Sequence, residues 1–233
     1  MQKTATLRKN ITLALQQNLL PGLVLQVFAV LTALSYFYYE PATILFSYLG
    51  DLKSQYGWKY AMISTAIFGG LIPFVYLALT KQVTDKLAKT GLFYVLFWAY
   101  KGVEVDLLYQ LQEQWFGNAN DVNTLVKKTV VDQFIYGTLW AAPSMAIAYL
   151  WKDKLLNFSK TFASLDRQFF CLQIPTVLIT NWIIWIPSVL IIYSMPSDLQ
   201  IPLFNFVLCF FVLLLSTLSK KQINKTTQLT SED

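Results

Sequence analysis

No histidine occurs anywhere in the 233 residues, which excludes imidazole acid–base catalysis, histidine proton shuttles and histidine metal ligands. Charge is scarce as well, at 13% of residues, about half the usual share of ~25% in soluble domains. Only two cysteines are present, Cys171 and Cys209. Both fall in apolar runs, where a thiol behaves as a small hydrophobe, so neither a disulfide nor a metal site is expected. What remains is 55% hydrophobic with a mean hydropathy of +0.47, the composition of an integral membrane protein. The net charge of +5 needs no nucleic acid to explain it, because basic residues beside a bilayer set orientation.

A hydrocarbon core of about 30 Å demands about 20 apolar residues per helix. The clearest such stretch, QIPTVLITNWIIWIPSVLIIYSMP over residues 173–196, also carries Gln173, Asn181, Trp182 and Trp185. Pro175 and Pro187 each remove a backbone N–H and crowd the carbonyl four residues back, freeing Cys171 and Ile183. The stretch is either a packing kink or one wall of a polar path, with Asn181 facing a hydrated interior.

In chain order, residues 1–18 form a basic, polar N-terminus with Lys3, Arg8 and Lys9. The apolar run 19–39 is too long for a secretory signal core and lacks a small-residue cleavage site, so it reads as a retained span. Further spans are expected at 58–79, 91–111, 130–151, 168–194 and 203–219, giving an all-α bundle of about six membrane-embedded helices over 19–219. Residues 40–57 read as a partly embedded connector, 112–129 and 152–167 as polar loops, 195–202 as a tight turn, and 220–233 as a polar tail. Gly69 and Gly70 allow a neighbouring helix close, beside Pro73.

The 91–111 segment is the least orthodox, because Lys101, Glu104 and Asp106 lie within it. Charges at that depth need partners or water. Lys101 and Glu104 are spaced to pair on one face, whereas Asp106 points about 140° away from Lys101 and needs a partner elsewhere. Lys128 and Asp132 are also spaced to pair. The alternative for all of these is a structural ion pair between helices. With six spans, Lys and Arg number 13 on one side of the bilayer and 4 on the other, with Lys101 inside it. The rule that basic loops stay inside then puts both termini on the cytoplasmic or corresponding side.

Three motifs in order, Gly69-x-x-x-Pro73, Lys128-x-x-x-Asp132-Gln133 and Asn181-x-x-x-Trp185, are followed by Pro196, Gln200 and a final span ending Leu215-Ser216. Together they resemble the family of the 22 kDa peroxisomal membrane protein and its mitochondrial inner-membrane relatives, over residues 50–219. Gly50-Asp51-x-x-x-Gln55 resembles the family's first signature. The chain departs from the family pattern with Tyr76 in place of His, Thr138 in place of Pro, Gln200 in place of Arg, and Ile186 between Trp185 and Pro187. So divergent a member could be bacterial.

The resemblance implies a small helical membrane protein that passes small solutes, and it carries family positions onto Asp51, Pro73, Lys128, Asp132, Gln133, Asn181 and Trp185. The leading reading is therefore a channel or facilitator, with Lys101, Glu104, Gln173, Asn181 and Trp185 along a polar path and Lys128 and Asp132 at its outer mouth. A non-conducting scaffold or assembly factor is the second reading. The third, a membrane-embedded enzyme using Glu104, Asp106 or Asp132, lacks a nucleophile motif and a metal cluster, so no enzyme activity, catalytic residue, cofactor or metal is expected. Expected partners are the lipid bilayer, small solutes and further copies of the chain in a homo-oligomer, with no nucleic acid. The host membrane would be the bacterial inner membrane, or the mitochondrial inner or peroxisomal membrane in a eukaryote.

Overall fold

The structure is a computed structural model; it describes the backbone of residues 2–229 and the side chains of 12, 13, 16 and 18–217. The side chains of Lys3, Arg8 and Lys9 and those of the tail from Leu218 onward lie outside the described residues. Among the described residues the chain is all-α, with eight helices. These are α1 (Gln2–Tyr38), α2 (Glu40–Tyr56), α3 (Trp58–Thr65, Ala66–Leu71 and Ile72–Leu79), α4 (Leu87–Phe116), α5 (Val122–Val130, Val131–Ala141 and Ala142–Asp153), α6 (Phe158–Ala163), α7 (Phe169–Gln173 and Ile174–Tyr193) and α8 (Ser197–Leu229). Four stretches are long and apolar enough to cross a membrane, Asn18–Tyr38, Trp58–Leu79, Phe169–Tyr193 and Ser197–Thr217. Four such helices are the architecture of an integral membrane protein.

The prolines explain an irregularity shared by three helices. Ala66–Leu71 in α3, Val131–Ala141 in α5 and Phe169–Gln173 in α7 are π-helical, and each ends two residues before a proline, Pro73, Pro143 and Pro175. A proline inside a regular helix leaves the carbonyl four residues back without its donor and presses its ring against it. A wider turn moves that carbonyl away and hands hydrogen bonding to i→i+5 pairs, as Ile72 N–H bonding to Ile67 shows. Pro187 sits in regular helix instead. Beside it, the Ile184 carbonyl accepts from Gln26 Nε2 at 2.7 Å.

Several connectors expected from the sequence are helical. The 40–57 segment is α2, begun by Pro41 in its first turn and seated by Phe46 on Phe206 at 5.7 Å between ring centres. Its last turn ends at Gly57, whose φ of 54° suits glycine. The 112–129 segment is mostly helix too: α4 runs to Phe116, because Leu, Gln and Glu all favour helix. Gly117, with φ 78° and its N–H bonded to Glu113 O at 2.8 Å, closes it. Asp121 then caps α5 through the Thr124 N–H. Residues 152–167 include α6, and the final helix starts at Ser197 with Pro202 inside it, rather than after a turn to 202.

The chain divides into two compact units. Unit 1 comprises residues up to Val30 with Gln112–Pro196, and unit 2 comprises Leu31–Leu111 with the chain from Ser197. In unit 2, α3 and α4 touch through glycine. A Cβ on Gly70 would lie 2.7 Å from the Tyr94 carbonyl oxygen, and one on Gly102 would collide with the Ala61 carbonyl. Leu199, Ile201, Leu203 and Val207 of α8 are buried in the core. In unit 1, Gly22 of α1 lies against Ile184 of α7, and Gln26 bonds Ser188 Oγ at 3.0 Å.

Candidate functional site: a buried polar cluster in unit 1

The end of α4, the start of α5 and the end of α7 bring Gln112, Lys128, Thr129, Asp132, Gln133 and Tyr193 together, all of them buried. Tyr193 OH donates to Asp132 Oδ2 at 2.5 Å and accepts from Gln112 Nε2 at 2.9 Å. Gln133 Nε2 donates to the other carboxylate oxygen at 2.7 Å. Lys128 Nζ lies 5.8 Å from the centre of the Tyr193 ring, within cation–π range.

The backbone around Asp132 is π-helical, and this shapes the site. The Gln133 carbonyl accepts from Thr138 Oγ1, five residues on, at 3.1 Å and from the Trp182 indole N–H at 3.0 Å. Trp182 also packs on Phe134 at 4.9 Å between ring centres, so α7 holds this turn from the side. Asn120 Nδ2 donates to the Ser194 carbonyl at 2.9 Å and ties the α4–α5 loop to the end of α7.

Hydrogen bonding in this cluster is incomplete. Gln112 Oε1, Gln133 Oε1 and Thr129 Oγ1 are buried without a hydrogen-bond partner among the described residues. Both glutamines spend an N–H on the Tyr193–Asp132 pair, so each unpartnered amide oxygen sits one amide width from it. A buried polar atom left unmatched costs about 1–3 kcal/mol. Two amide acceptors and, four residues before Gln133 on α5, a hydroxyl that can donate or accept would be matched by a hydrogen-bonding guest.

The sequence expectations are distributed as follows. Lys128 and Asp132 do not pair with each other: the carboxylate is held by Tyr193 and Gln133, and the nearby carboxylate acting on Lys128 is Glu113. Both are buried within unit 1. Asn181 is half-buried and Gln173 exposed, and neither side chain makes a hydrogen bond among the described residues. Trp185 is half-buried on the same helix.

Lys101 and Glu104 lie in unit 2, where Lys101 Nζ meets Glu104 Oε1 at 2.7 Å. The separate partner that Asp106 requires is Lys53 Nζ of α2 at 2.9 Å, with Gln110 Nε2 donating at 2.8 Å. Asp51 is exposed, and Pro73 is buried behind its π turn. Tyr76, the residue standing where the family pattern has His, bonds Thr217 Oγ1 at 2.7 Å.

Sequence reasoning missed Gln112, Thr129 and Tyr193, and in unit 2 it missed Ser64, Thr65 and Asn205. Asn205 Oδ1 accepts from Thr65 Oγ1, and its Nδ2 donates to Ser64 Oγ, both at 2.8 Å. The available signal was Asn205 itself, an amide in the run LFNFVLCFF. No known family model, no curated protein and no solved structure matches the chain.

Proposed function

We propose that the protein is a membrane channel or facilitator for small solutes and that the solute passes through unit 1. The observation that carries this reading is the buried cluster of Asp132, Tyr193 and Gln112, whose neighbouring acceptors Gln112 Oε1, Gln133 Oε1 and Thr129 Oγ1 lack donors. Ionisable and polar groups within membrane helices mark pathways by default. The similarity of Lys128, Asp132 and Gln133 to the peroxisomal and mitochondrial family motif points the same way.

The proposal includes α4 and α5 as spans, for six in all, with both termini on the basic side. Lys101, Asp106, Lys128 and Asp132 are buried, so the exposed faces of these helices are left to Leu92, Leu96, Leu107, Ile135, Leu139 and Trp140. A helix whose charges turn inward and whose apolar residues turn outward suits lipid despite its modest mean hydropathy. The host membrane follows the resemblance: bacterial inner, mitochondrial inner or peroxisomal.

A non-conducting scaffold is the alternative, favoured by the bonds from Trp182 to Gln133 and from Gln26 to Ile184, which hold helices together without needing a solute. Flux of solutes graded in size and charge through purified protein in liposomes separates the readings. Conduction, reduced in Asn181→Leu without loss of folding, supports the facilitator. Tight sealing by folded protein supports the scaffold, and a new lipid product in the bilayer would point to an enzyme.

A further inference from the structure

We propose that the unit 1 cluster binds a small neutral polyol, a solute carrying several hydroxyls on a short carbon chain. The inference deepens the facilitator reading and rests on it for the transport step alone. Two buried amide oxygens, Gln112 Oε1 and Gln133 Oε1, need donors, and the buried Thr129 hydroxyl has neither donor nor acceptor among the described residues. The Lys128 ammonium lies over the Tyr193 ring, makes no ion pair among the described residues and can donate to a guest. A guest must therefore both donate and accept, as each hydroxyl does.

Charge excludes the other classes. A metal cation would suit the three oxygens and Asp132 but would meet the Lys128 ammonium. An anion would suit Lys128 but would face the Asp132 carboxylate and the unpartnered acceptors. An apolar guest would leave every one of these groups unmatched. A polyol matches all of them without adding charge. Sites built to hydrogen-bond hydroxyls reject analogues that lack them far more strongly than apolar pockets reject a wrong methylene.

Erythritol is the probe for the wild-type protein in lipid nanodiscs, with binding read as saturation transfer from protein to solute. The expected result is a saturable signal that sucrose, potassium chloride and butanol do not displace. Gln112→Met, which removes one acceptor at nearly constant length, should weaken binding by up to about tenfold. Should Gln112→Met fail to fold, Thr129→Val carries the comparison, because it deletes a single hydroxyl and leaves the Gln112–Tyr193–Asp132 chain intact.

Erythritol uptake by proteoliposomes is measured in parallel. Saturable binding without uptake would keep the site and remove the facilitator reading. Uptake without saturable binding would keep the facilitator and overturn the site. An absent or unsaturable signal, one displaced by potassium chloride, or one equal in the variants would mean that the cluster holds water only, and would overturn the proposal.

Discussion

In unit 2 buried ionisable groups meet opposite charges, whereas in unit 1 Asp132 is held by neutral donors and the amide oxygens beside it lack donors. Lys53 meets Asp106, Lys101 meets Glu104, and Asn205 uses both ends of its amide on Thr65 and Ser64. Around Asp132 the same kinds of side chain stop short of closure, with three oxygens left over. Both regions arise from polar residues in apolar helices, and composition does not distinguish them. The difference lies in pairing: opposite charges that meet hold helices together, and buried polar groups without a charge partner have capacity for a guest.

The largest effect that would break this comparison is expected in unit 2. Lys101→Met leaves the half-buried Glu104 carboxylate without its ion-pair partner and should cost about 3 kcal/mol, the low end for buried pairs, whereas Lys101→Met combined with Glu104→Gln should cost much less. A double-mutant cycle in reversible unfolding reads the coupling; additive single effects would mean that the pair is not closed.

Next in size is Tyr193→Phe in unit 1, which strips Asp132 of one donor and Gln112 of its acceptor. Hydrogen bonds to charged groups are worth about 1.5–3 kcal/mol, so a loss in that range is expected. A much smaller loss would show that another donor already reaches the carboxylate, which would sharpen the case for an occupied site.

A smaller effect is expected for Asn205→Leu, which removes a closed amide linking α8 to α3. Membrane hydrogen bonds average about 0.6 kcal/mol each, so the loss of two should cost about 1.2 kcal/mol without altering solute flux. A change in flux at unchanged stability would move the path toward unit 2 and dissolve the contrast.

The smallest effect concerns Asp121, in the loop before α5. The Thr124 hydroxyl and amide donate to its carboxylate and hold its pKa below the usual range. A depressed folded pKa contributes stability above the unfolded value, and that contribution disappears as pH falls through the folded one. Wild type should therefore lose a small increment of stability on acidification that Asp121→Asn does not lose, as read by thermal unfolding at a series of acidic pH values.

Much of the fold was legible in the sequence, and the reason is periodicity and length. The runs at 19–39, 58–79, 168–194 and 203–219 coincide closely with the four long apolar helices. Gly69 and Gly70 allowed a close neighbour, and they meet Trp98 and the Tyr94 backbone. The spacing of Lys101 and Glu104 announced their contact, and the angle of Asp106 announced the need for a separate partner. The identity of that partner was not legible, because Lys53 lies on a segment read as a connector.

The same error hid the unit 1 cluster. Ending α4 at Leu111 placed Gln112 in a loop, although its neighbours Leu111 and Glu113 favour helix and Gly117 supplies the stop. Tyr193 carried no reading of its own, since nothing local marks a hydroxyl that reaches α5. The π turns before Pro73, Pro143 and Pro175 were also outside a reading that assigned each proline a freed carbonyl, because the helix responds by widening.

The contrast between the units is tested most directly by thiol accessibility at two buried threonines, in a background with Cys171 and Cys209 replaced. Thr129→Cys replaces one of the unpartnered groups of unit 1, and Thr65→Cys replaces a partner of Asn205 in unit 2. A water-soluble thiol reagent added to intact membranes should label the first and spare the second. Equal labelling of the two, or a protected cysteine at position 129, would contradict a solute path through unit 1.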